Sequence, residues 1–144
     1  MAPVPDRYQD PRVIAEVINT AKTIAVVGLS PQRDRPSHEV AAYMQAQGYR
    51  IAPVNPNLDE ALGEKCYPSL VDIPFPVDIV DVFRQPHAVP AIAEEAAMIG
   101  AKALWLQLGV ISEEGAEIAE RAGLWVVMDR CLMVDHRALN RSRS

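Results

Sequence analysis

A cysteine and a histidine near the C-terminus are the first residues in this sequence whose types could do chemistry. Cys131 and His136 stand five positions apart, and a cysteine close to a histidine can act as a nucleophile activated by a base. Cysteine is also among the residue types most often buried, and His136 falls where a last helical turn is expected. We therefore predict structural roles for this pair and assign no catalytic residue.

The other histidines add no catalytic candidate. His38 is interpreted as the first residue of a helix, and His87 in RQPHAVP is interpreted as exposed. Neither the histidines nor the two cysteines cluster in the sequence, so the spacing typical of metal ligands is missing. The sequence predicts no metal site and favours a binding protein over an enzyme.

The stretch VVGLSPQRDRPSHEV, residues 26–40, contains residue types suited to binding phosphate. Gly28 allows a sharp turn at the end of a strand. Ser37 is the expected N-cap of the next helix, whose free N–H groups and positive dipole end favour an anion. Arg33 and Arg35 supply forked, charged donors in the same loop. We predict a phosphate-binding loop here.

A dinucleotide site of the NAD type is disfavoured on two counts. Only Gly28 is present where such a site needs three glycines in the pattern Gly-x-Gly-x-x-Gly. The second predicted strand ends at Asn55, between Pro53 and Pro56, and offers no carboxylate for a ribose hydroxyl. A nucleotide-dependent oxidoreductase stays open only as an alternative.

Five short β-branched runs alternate with helical patterns along the chain. The first helix starts at the N-cap Asp10 and the N1 residue Pro11 and ends near Ala21. The predicted strands are Thr23–Gly28, Tyr49–Val54, Val77–Phe83, Ala101–Leu108 and Leu124–Asp129. The later helices are Ser37–Gln47, about Ala88–Ile99 and Ser112–Ala122, each followed by a glycine. The segment between the second and third strands is mostly loop, with a turn of helix after Ser69.

Strands that are apolar throughout and alternate with helices predict a parallel sheet covered on both faces. We expect a three-layer α/β/α Rossmann-like domain with five parallel strands in the order 3-2-1-4-5. The flavodoxin-like order 2-1-3-4-5 is the alternative. The predicted domain covers residues 7–139, with flexible termini at residues 1–6 and 140–144.

The loops that follow the strands should meet at one edge of this sheet, where ligands of such folds bind. They carry four arginines, Arg33, Arg35, Arg84 and Arg130. The whole chain of 144 residues is acidic, with 14 basic and 19 acidic residues and a net charge of −5. Four cations at one edge of an acidic protein indicate a small anionic ligand, whereas nucleic acid would be repelled.

The cysteine count and the absence of long apolar runs indicate the cellular location. Two cysteines are too few for a disulfide framework. The N-terminal MAPVPDRYQD has no apolar core of a signal peptide, and no apolar run approaches the ~20 residues of a membrane span. We expect a cytoplasmic protein without a membrane partner; protein partners are left open.

Five motifs together resemble the small stand-alone CoA-binding proteins of bacteria and archaea. They are TIAVVGLS, GYRIAPVNP, DIVDVFRQP, LWLQLGV and VMDRCLMVDH, and the resemblance runs from about Ala21 to Leu139. The same proteins are similar to the CoA-binding domain of the succinyl-CoA synthetase α subunit. The resemblance implies a Rossmann-like fold and binding of coenzyme A or an acyl-CoA. The synthetase's phosphohistidine domain has no counterpart in the motifs, so its activity does not carry over.

The resemblance also implies which residues bind CoA. Those facing the pyrophosphate are Gly28, Leu29, Ser30, Pro31, Arg33, Arg35 and Ser37. The adenosine part is implied beside Val54, Asn55 and Pro56, and the middle of the site beside Phe83, Arg84, Gln85 and Pro86. The pantetheine arm would pass Gln107, Leu108 and Gly109, and the last motif contributes Arg130, Cys131 and Met133.

Three readings of the function follow. The first is a non-catalytic module that binds CoA or an acyl-CoA as a carrier, sensor or regulator. The second is the oxidoreductase named above, and the third is an interaction domain with a vestigial pocket. A further hypothesis is that Cys131, which follows the fifth strand, forms a mixed disulfide with the CoA thiol.

Overall fold

The computed structural model describes residues 3–143 and contains the predicted alternation of strands and helices. The strands are β1 Thr23–Val27, β2 Arg50–Val54, β3 Glu60–Ala61, β4 Glu64–Lys65, β5 Ile79–Val82, β6 Ala103–Leu106 and β7 Trp125–Met128. The helices are α1 Pro11–Thr20, α2 Pro36–Ala46, α3 Val89–Met98, α4 Glu113–Arg121 and α5 Leu132–Arg143. Short 3-10 turns occupy Asp6–Gln9, Leu70–Asp72 and Pro86–Ala88.

The five long strands form one parallel sheet in the order β2-β1-β5-β6-β7. Counted along the chain, the long strands therefore stand in the order 2-1-3-4-5. The expected order 3-2-1-4-5 is wrong, and the flavodoxin-like alternative is confirmed.

Pro53 gives the physical reason for this order. Proline has no N–H to donate, so within a sheet it is confined to edge strands and strand ends. The order 3-2-1-4-5 would place β2 in the interior, whereas the observed order places it at the edge. The Pro53 carbonyl faces outward and accepts a hydrogen bond from the Tyr67 N–H at 2.9 Å.

Helices cover both faces of the sheet, which confirms the three layers. Helices α1, α2 and α5 pack on one face, where Ile24 and Val26 point. Helices α3 and α4 pack on the other face, where Ala25 and Val27 point. Alternate strand residues are thus buried on opposite sides, as in a doubly covered parallel sheet.

Side-chain caps fix the starts of α1 and α4. The Asp10 carboxylate accepts from the Arg12 N–H at 2.9 Å, and the Ser112 hydroxyl accepts from the Gly115 N–H at 3.1 Å. Both predicted N-caps are therefore confirmed. The predicted turn of helix after Ser69 is the 3-10 turn Leu70–Asp72.

Both chain ends carry secondary structure within the residues that the sequence analysis assigned to flexible tails, and the flexibility itself stays a prediction. Helix α5 continues through residues 140–143, and the 3-10 turn starts at Asp6. Residues 1, 2 and 144, which belong to the predicted tails, lie outside the described residues. No helix in the described part of the chain is long and apolar enough to cross a membrane.

Candidate functional site

A groove crosses the carboxyl ends of β1, β5 and β6. It lies where the chain order reverses, because β1 leads outward to β2 while β5 leads to β6 on the other side; ligands of open α/β sheets bind at this point. The groove joins two depressions of about 580 and 300 Å³ that share Arg35 and Phe83. Its other lining residues are Gly28, Ser30, Pro36, Ser37, Arg84, Gln85, Pro86, Gln107, Leu108, Gly109 and Val110.

Gly28 lets two neighbouring loops approach each other at the floor of the groove. Its φ is +89°, a region that favours glycine. A Cβ atom at this position would lie 2.6 Å from the Phe83 carbonyl oxygen and 2.9 Å from Cδ of Arg84. Glycine is therefore required here by backbone conformation and by contact.

The loop after Gly28 is folded by its own hydrogen bonds. The Ser30 N–H donates to the Ser37 hydroxyl at 2.9 Å, and the Gln32 N–H donates to the Ser30 hydroxyl at 3.1 Å. His38 Nδ1 lies 3.0 Å from the Ser30 carbonyl. Since a carbonyl only accepts, Nδ1 carries the proton. These bonds hold the loop in shape at the start of α2.

Ser37 does not cap α2, and that prediction is wrong. The helix begins one residue earlier, at Pro36, and Arg35 is its N-cap residue. Proline suits the first helical position because no partner for an N–H is needed there. The buried Ser37 hydroxyl is used instead to hold Ser30, and His38 is the third residue of the helix rather than the first.

The charge of the groove is positive. Arg35 and Arg84 line it and are exposed, and neither forms an ion pair with any residue in the described part of the chain. No lining residue carries a carboxylate. In a chain of net charge −5, this local excess of unpaired arginine favours an anionic ligand.

Arg130 forms an ion pair with Asp135 instead of lining the groove. Its guanidinium donates to both carboxylate oxygens of Asp135, with Nε 3.1 Å from Oδ2. The hydrogen bond to Asp135 raises the pKa of Arg130 above its ordinary value. Asp135 is buried, so this pair stabilises the start of α5 and does not offer a free cation to the groove.

The segment around Asn55 supports the groove from outside. The Asn55 side-chain amide donates to the Leu29 carbonyl at 3.0 Å, and its oxygen accepts from the Asn57 N–H at 2.9 Å. Asn55 thus ties the loop after β2 to the loop after β1.

The structure brings together eleven of the residues that the sequence analysis assigned to CoA: Gly28, Ser30, Arg35, Ser37, Phe83, Arg84, Gln85, Pro86, Gln107, Leu108 and Gly109. The remaining nine are outside the lining of the groove: Leu29, Pro31, Arg33, Val54, Asn55, Pro56, Arg130, Cys131 and Met133. Leu29, Val54 and Met133 are buried in the core, and Arg33 is exposed on the same loop as Arg35.

Sequence reasoning missed the part that Asp129 plays. Its Oδ1 accepts from the Gly109 N–H at 2.7 Å, and its own φ is +59°. Aspartate tolerates the left-handed region better than most residues. An aspartate directly after a strand was the available signal.

His136 is part of the packing between α2 and α5. The Tyr43 hydroxyl oxygen lies 2.8 Å from its Nδ1, and the Asn140 amide nitrogen lies 3.4 Å from the same atom. Its buried ring contacts the rings of Tyr43 and Tyr49 edge-on. This supports a structural role for His136. Among the described residues, no group of three or more His, Cys, Asp or Glu could hold a metal ion.

A family model described as CoA binding domain matches residues 22–137. YneT of Bacillus subtilis (strain 168) is 46% identical over 123 residues, covering 85% of this chain and 91% of YneT. Acetate–CoA ligase (ADP-forming) II of Archaeoglobus fulgidus is 37% identical over 101 residues, covering 69% of this chain but 15% of the ligase.

Solved structures share the whole fold. A protein from Pyrococcus horikoshii OT3 superposes with a TM-score of 0.90 at 37% identity, over 97% of this chain and 99% of the other. A protein from Thermus thermophilus gives a TM-score of 0.85 at 41% identity, over 90% of this chain and 98% of the other. These likenesses confirm the expected Rossmann-like fold.

Proposed function

Because the chain belongs to the CoA binding domain family, we propose that its groove binds coenzyme A or an acyl-CoA and that the protein acts as a non-catalytic carrier, sensor or regulator. The observation that carries this proposal is that Arg35, Arg84 and Gly28 lie together at the point where the chain order of the sheet reverses. Two arginines that form no ion pair in the described part of the chain line the groove beside the glycine turn, where the loops after β1 and β5 approach each other. Such a turn before a helix start suits a pyrophosphate.

The two depressions of the groove suit two of the parts of CoA, the pyrophosphate and the pantetheine arm. The smaller depression is lined by Ser30, Arg35 and the start of α2, and would hold the phosphates. The larger depression is lined by Phe83, Pro86, Leu108 and Val110 as well as by polar groups, and would hold the pantetheine arm. Asn55 contributes by fixing the Leu29 carbonyl rather than by contact.

The non-catalytic role rests on the chemistry of the lining. The groove presents no thiol, imidazole, carboxylate or amine, which are the side chains that usually act as nucleophile, acid or base. The two hydroxyls in the lining, Ser30 and Ser37, each accept a hydrogen bond from a backbone N–H of the same loop. Ligand binding needs none of these groups, whereas acyl transfer would.

Thermal unfolding with a panel of ligands tests the proposal. CoA, acetyl-CoA, ADP, NAD⁺ and NADPH would each be added in excess to the full chain. A ligand at about 100 times its Kd adds about 2.7 kcal/mol to the free energy of unfolding, which raises Tm by several degrees in a domain of this size. We expect a rise with CoA or acetyl-CoA and little change with NAD⁺. The reverse pattern, or no rise with any CoA species, would overturn the proposal.

A pair of arginine substitutions tests the site itself. We expect Arg35→Ala with Arg84→Ala to weaken CoA binding by about tenfold or more, since the loss of even one charge-assisted hydrogen bond costs roughly 1.5–3 kcal/mol. Lys22→Ala is the matched control, because Lys22 is an exposed cation that precedes β1 at the opposite end of the sheet. Isothermal titration of the three proteins gives the Kd values. An unchanged Kd in the double variant would show that the groove is not the CoA site.

A further inference from the structure

We propose that Asp129 is a positioning residue that holds the turn at residues 107–110 against the groove and so keeps Leu108 available to the apolar part of the ligand. The proposal rests on the proposed CoA function and names a residue outside the lining of the groove. It is carried by one hydrogen bond, one unusual backbone conformation and one exposed apolar side chain.

The turn that follows β6 is short and projects from the protein. The Val110 N–H donates to the Gln107 carbonyl at 2.9 Å, which closes a four-residue turn with Leu108 and Gly109 at its tip. Leu108 is 66% exposed, and Gly109 has a φ of +81°. Leu108 lines the groove and is therefore free to contact an apolar part of a bound ligand.

Asp129 satisfies the donor at the tip of this turn. The Gly109 N–H points away from the turn's own closing bond and donates to Asp129 Oδ1 at 2.7 Å. A hydrogen bond to a carboxylate of this length is stronger than one between neutral groups. Residue 109 is thereby tied to a residue 20 positions later, at the end of the neighbouring strand β7.

The backbone of Asp129 is held in a conformation that costs free energy. Its φ of +59° is in the left-handed region, which costs most non-glycine residues about 1–2 kcal/mol and aspartate less. The Gln9 side-chain amide donates to the Met128 carbonyl at 3.0 Å and reaches the Asp129 carbonyl at 3.4 Å. A strained residue that neighbouring groups hold in place is a common feature of functional sites.

Other bonds between the same two strand ends do not reach the tip. The Leu132 N–H donates to Gln107 Oε1 at 3.2 Å, and the Arg130 N–H donates to the Leu106 carbonyl at 3.3 Å. These bonds fix the base of the turn at residues 106 and 107. Within the described residues, the hydrogen bond from the Gly109 N–H to Asp129 is the one that joins the tip of the turn, Leu108 and Gly109, to a side chain.

The consequence concerns the apolar arm of the ligand more than its phosphates. Leu108 and Pro86 line the larger depression, whereas Gly28 and Ser30 line the smaller one. Loss of the Asp129 tie should therefore weaken binding of CoA while leaving binding of ADP nearly unchanged.

Two substitutions separate the hydrogen bond from the backbone strain. Asp129→Gly removes the acceptor but suits the positive φ, and Asp129→Asn keeps an Oδ1 acceptor and also tolerates this φ. In the ligand-free protein we expect amide hydrogen exchange at Gly109 to rise about tenfold or more in Asp129→Gly and to stay near the native rate in Asp129→Asn. The Gly123 amide, which donates to the Glu120 carbonyl, serves as the internal reference. Equal exchange at Gly109 in all three proteins would overturn the proposed tie.

Binding of CoA and of ADP to the same proteins completes the test. We expect Asp129→Gly to raise the Kd for CoA by about tenfold, to leave the Kd for ADP within about twofold, and to be rescued by Asp129→Asn. An equal loss for both ligands, or no loss for CoA, would contradict the positioning role. If the native protein bound neither ligand, the proposed function would fail, while the exchange measurement would still decide whether Asp129 holds the turn.

Discussion

The Asp81 carboxyl group lies in the centre of the sheet, and no residue in the described part of the chain forms a hydrogen bond with it. It lies in the middle strand β5, in register with Val26 and Trp105, and is 0% exposed. Both of its carboxylate oxygens lack a hydrogen-bond partner. Burial raises the pKa of Asp81 well above its ordinary value, because the charged form is disfavoured in an apolar interior. The carboxyl group is therefore kept protonated in the folded protein at pH values where an exposed aspartate is ionised.

The raised pKa of Asp81 predicts that its contribution to the free energy of unfolding falls as pH rises. In the unfolded chain Asp81 ionises near pH 3.9, while the folded state retains the proton, so unfolding releases a proton above that pH. The free energy of unfolding should then decrease by up to about 1.4 kcal/mol per pH unit until the folded pKa is reached. Asp81→Asn cannot ionise, so we expect it to remove this slope and to be more stable than the native protein at pH 7.

Urea unfolding between pH 4 and pH 8 measures the slope. The exposed Asp34, changed to Asn, is the matched control and should leave the slope in place. A native slope that persists in Asp81→Asn would show that another group causes it.

Gly28 is the second residue at which one substitution is decisive. Gly28 and Gly123 share a φ of +89°, but a Cβ at Gly123 would meet nothing within 4 Å. We expect Gly28→Ala to lower the free energy of unfolding by about 2 kcal/mol more than Gly123→Ala does, because only the first creates an overlap. Thermal or urea unfolding of both variants checks this. Equal losses would mean that the strand ends separate without cost.

At the scale of elements, α3 and α4 are packed against each other through Gly115. A Cβ at Gly115 would lie 2.4 Å from Cγ1 of Val89 and 3.2 Å from the Val89 carbonyl carbon. We expect Gly115→Ala to destabilise the fold by about 1–3 kcal/mol through overpacking, despite the better helix propensity of alanine.

The double variant Gly115→Ala, Val89→Ala isolates that contact. Removing the valine methyl groups should recover part of the loss, so the double variant should be more stable than the sum of the two single effects predicts. Additive effects in urea unfolding would show that the helices shift apart instead.

Much of the fold could be predicted at this scale, because strands buried on both faces and helices closed by caps leave direct patterns in the sequence. All five parallel strands were predicted in this way. The order of the strands was not, since hydrophobic periodicity does not say which strands are neighbours. Pro53 carried that information, because a proline facing outward needs an edge.

The site was predictable to the level of loops and no further. The motifs located the loops after β1, β5 and β6, which do form the groove. Side-chain directions depend on contacts between distant segments, so Arg130 was not separable from Arg84 by sequence. Only the structure shows that Arg130 is bonded to Asp135 while Arg84 is unpaired.

At the scale of the whole molecule, a chain of net charge −5 presents a local cationic groove to an anionic ligand. Raising NaCl from ~0.1 M to ~1 M shortens the Debye length from about 10 Å to about 3 Å. We expect the affinity for CoA to fall by a factor on the order of ten over this range, because the attraction to Arg35 and Arg84 is screened.

Titrations at several salt concentrations measure this dependence. The Arg35→Ala, Arg84→Ala variant should show a shallower slope than the native protein, and Lys22→Ala should show the native slope. A native affinity that does not change with salt would mean that apolar contacts dominate binding.

The edge of the sheet at β2 has a consequence for how copies of this protein behave when crowded together. An open strand edge is a template on which another chain can pair and aggregate. Here Pro53 has no N–H to donate to another chain. The Tyr67 N–H donates to the Pro53 carbonyl at 2.9 Å, and the Asn55 N–H donates to the Tyr67 carbonyl at 3.0 Å. The long crossover after β2 thus protects this edge of the sheet against pairing with a strand of another molecule.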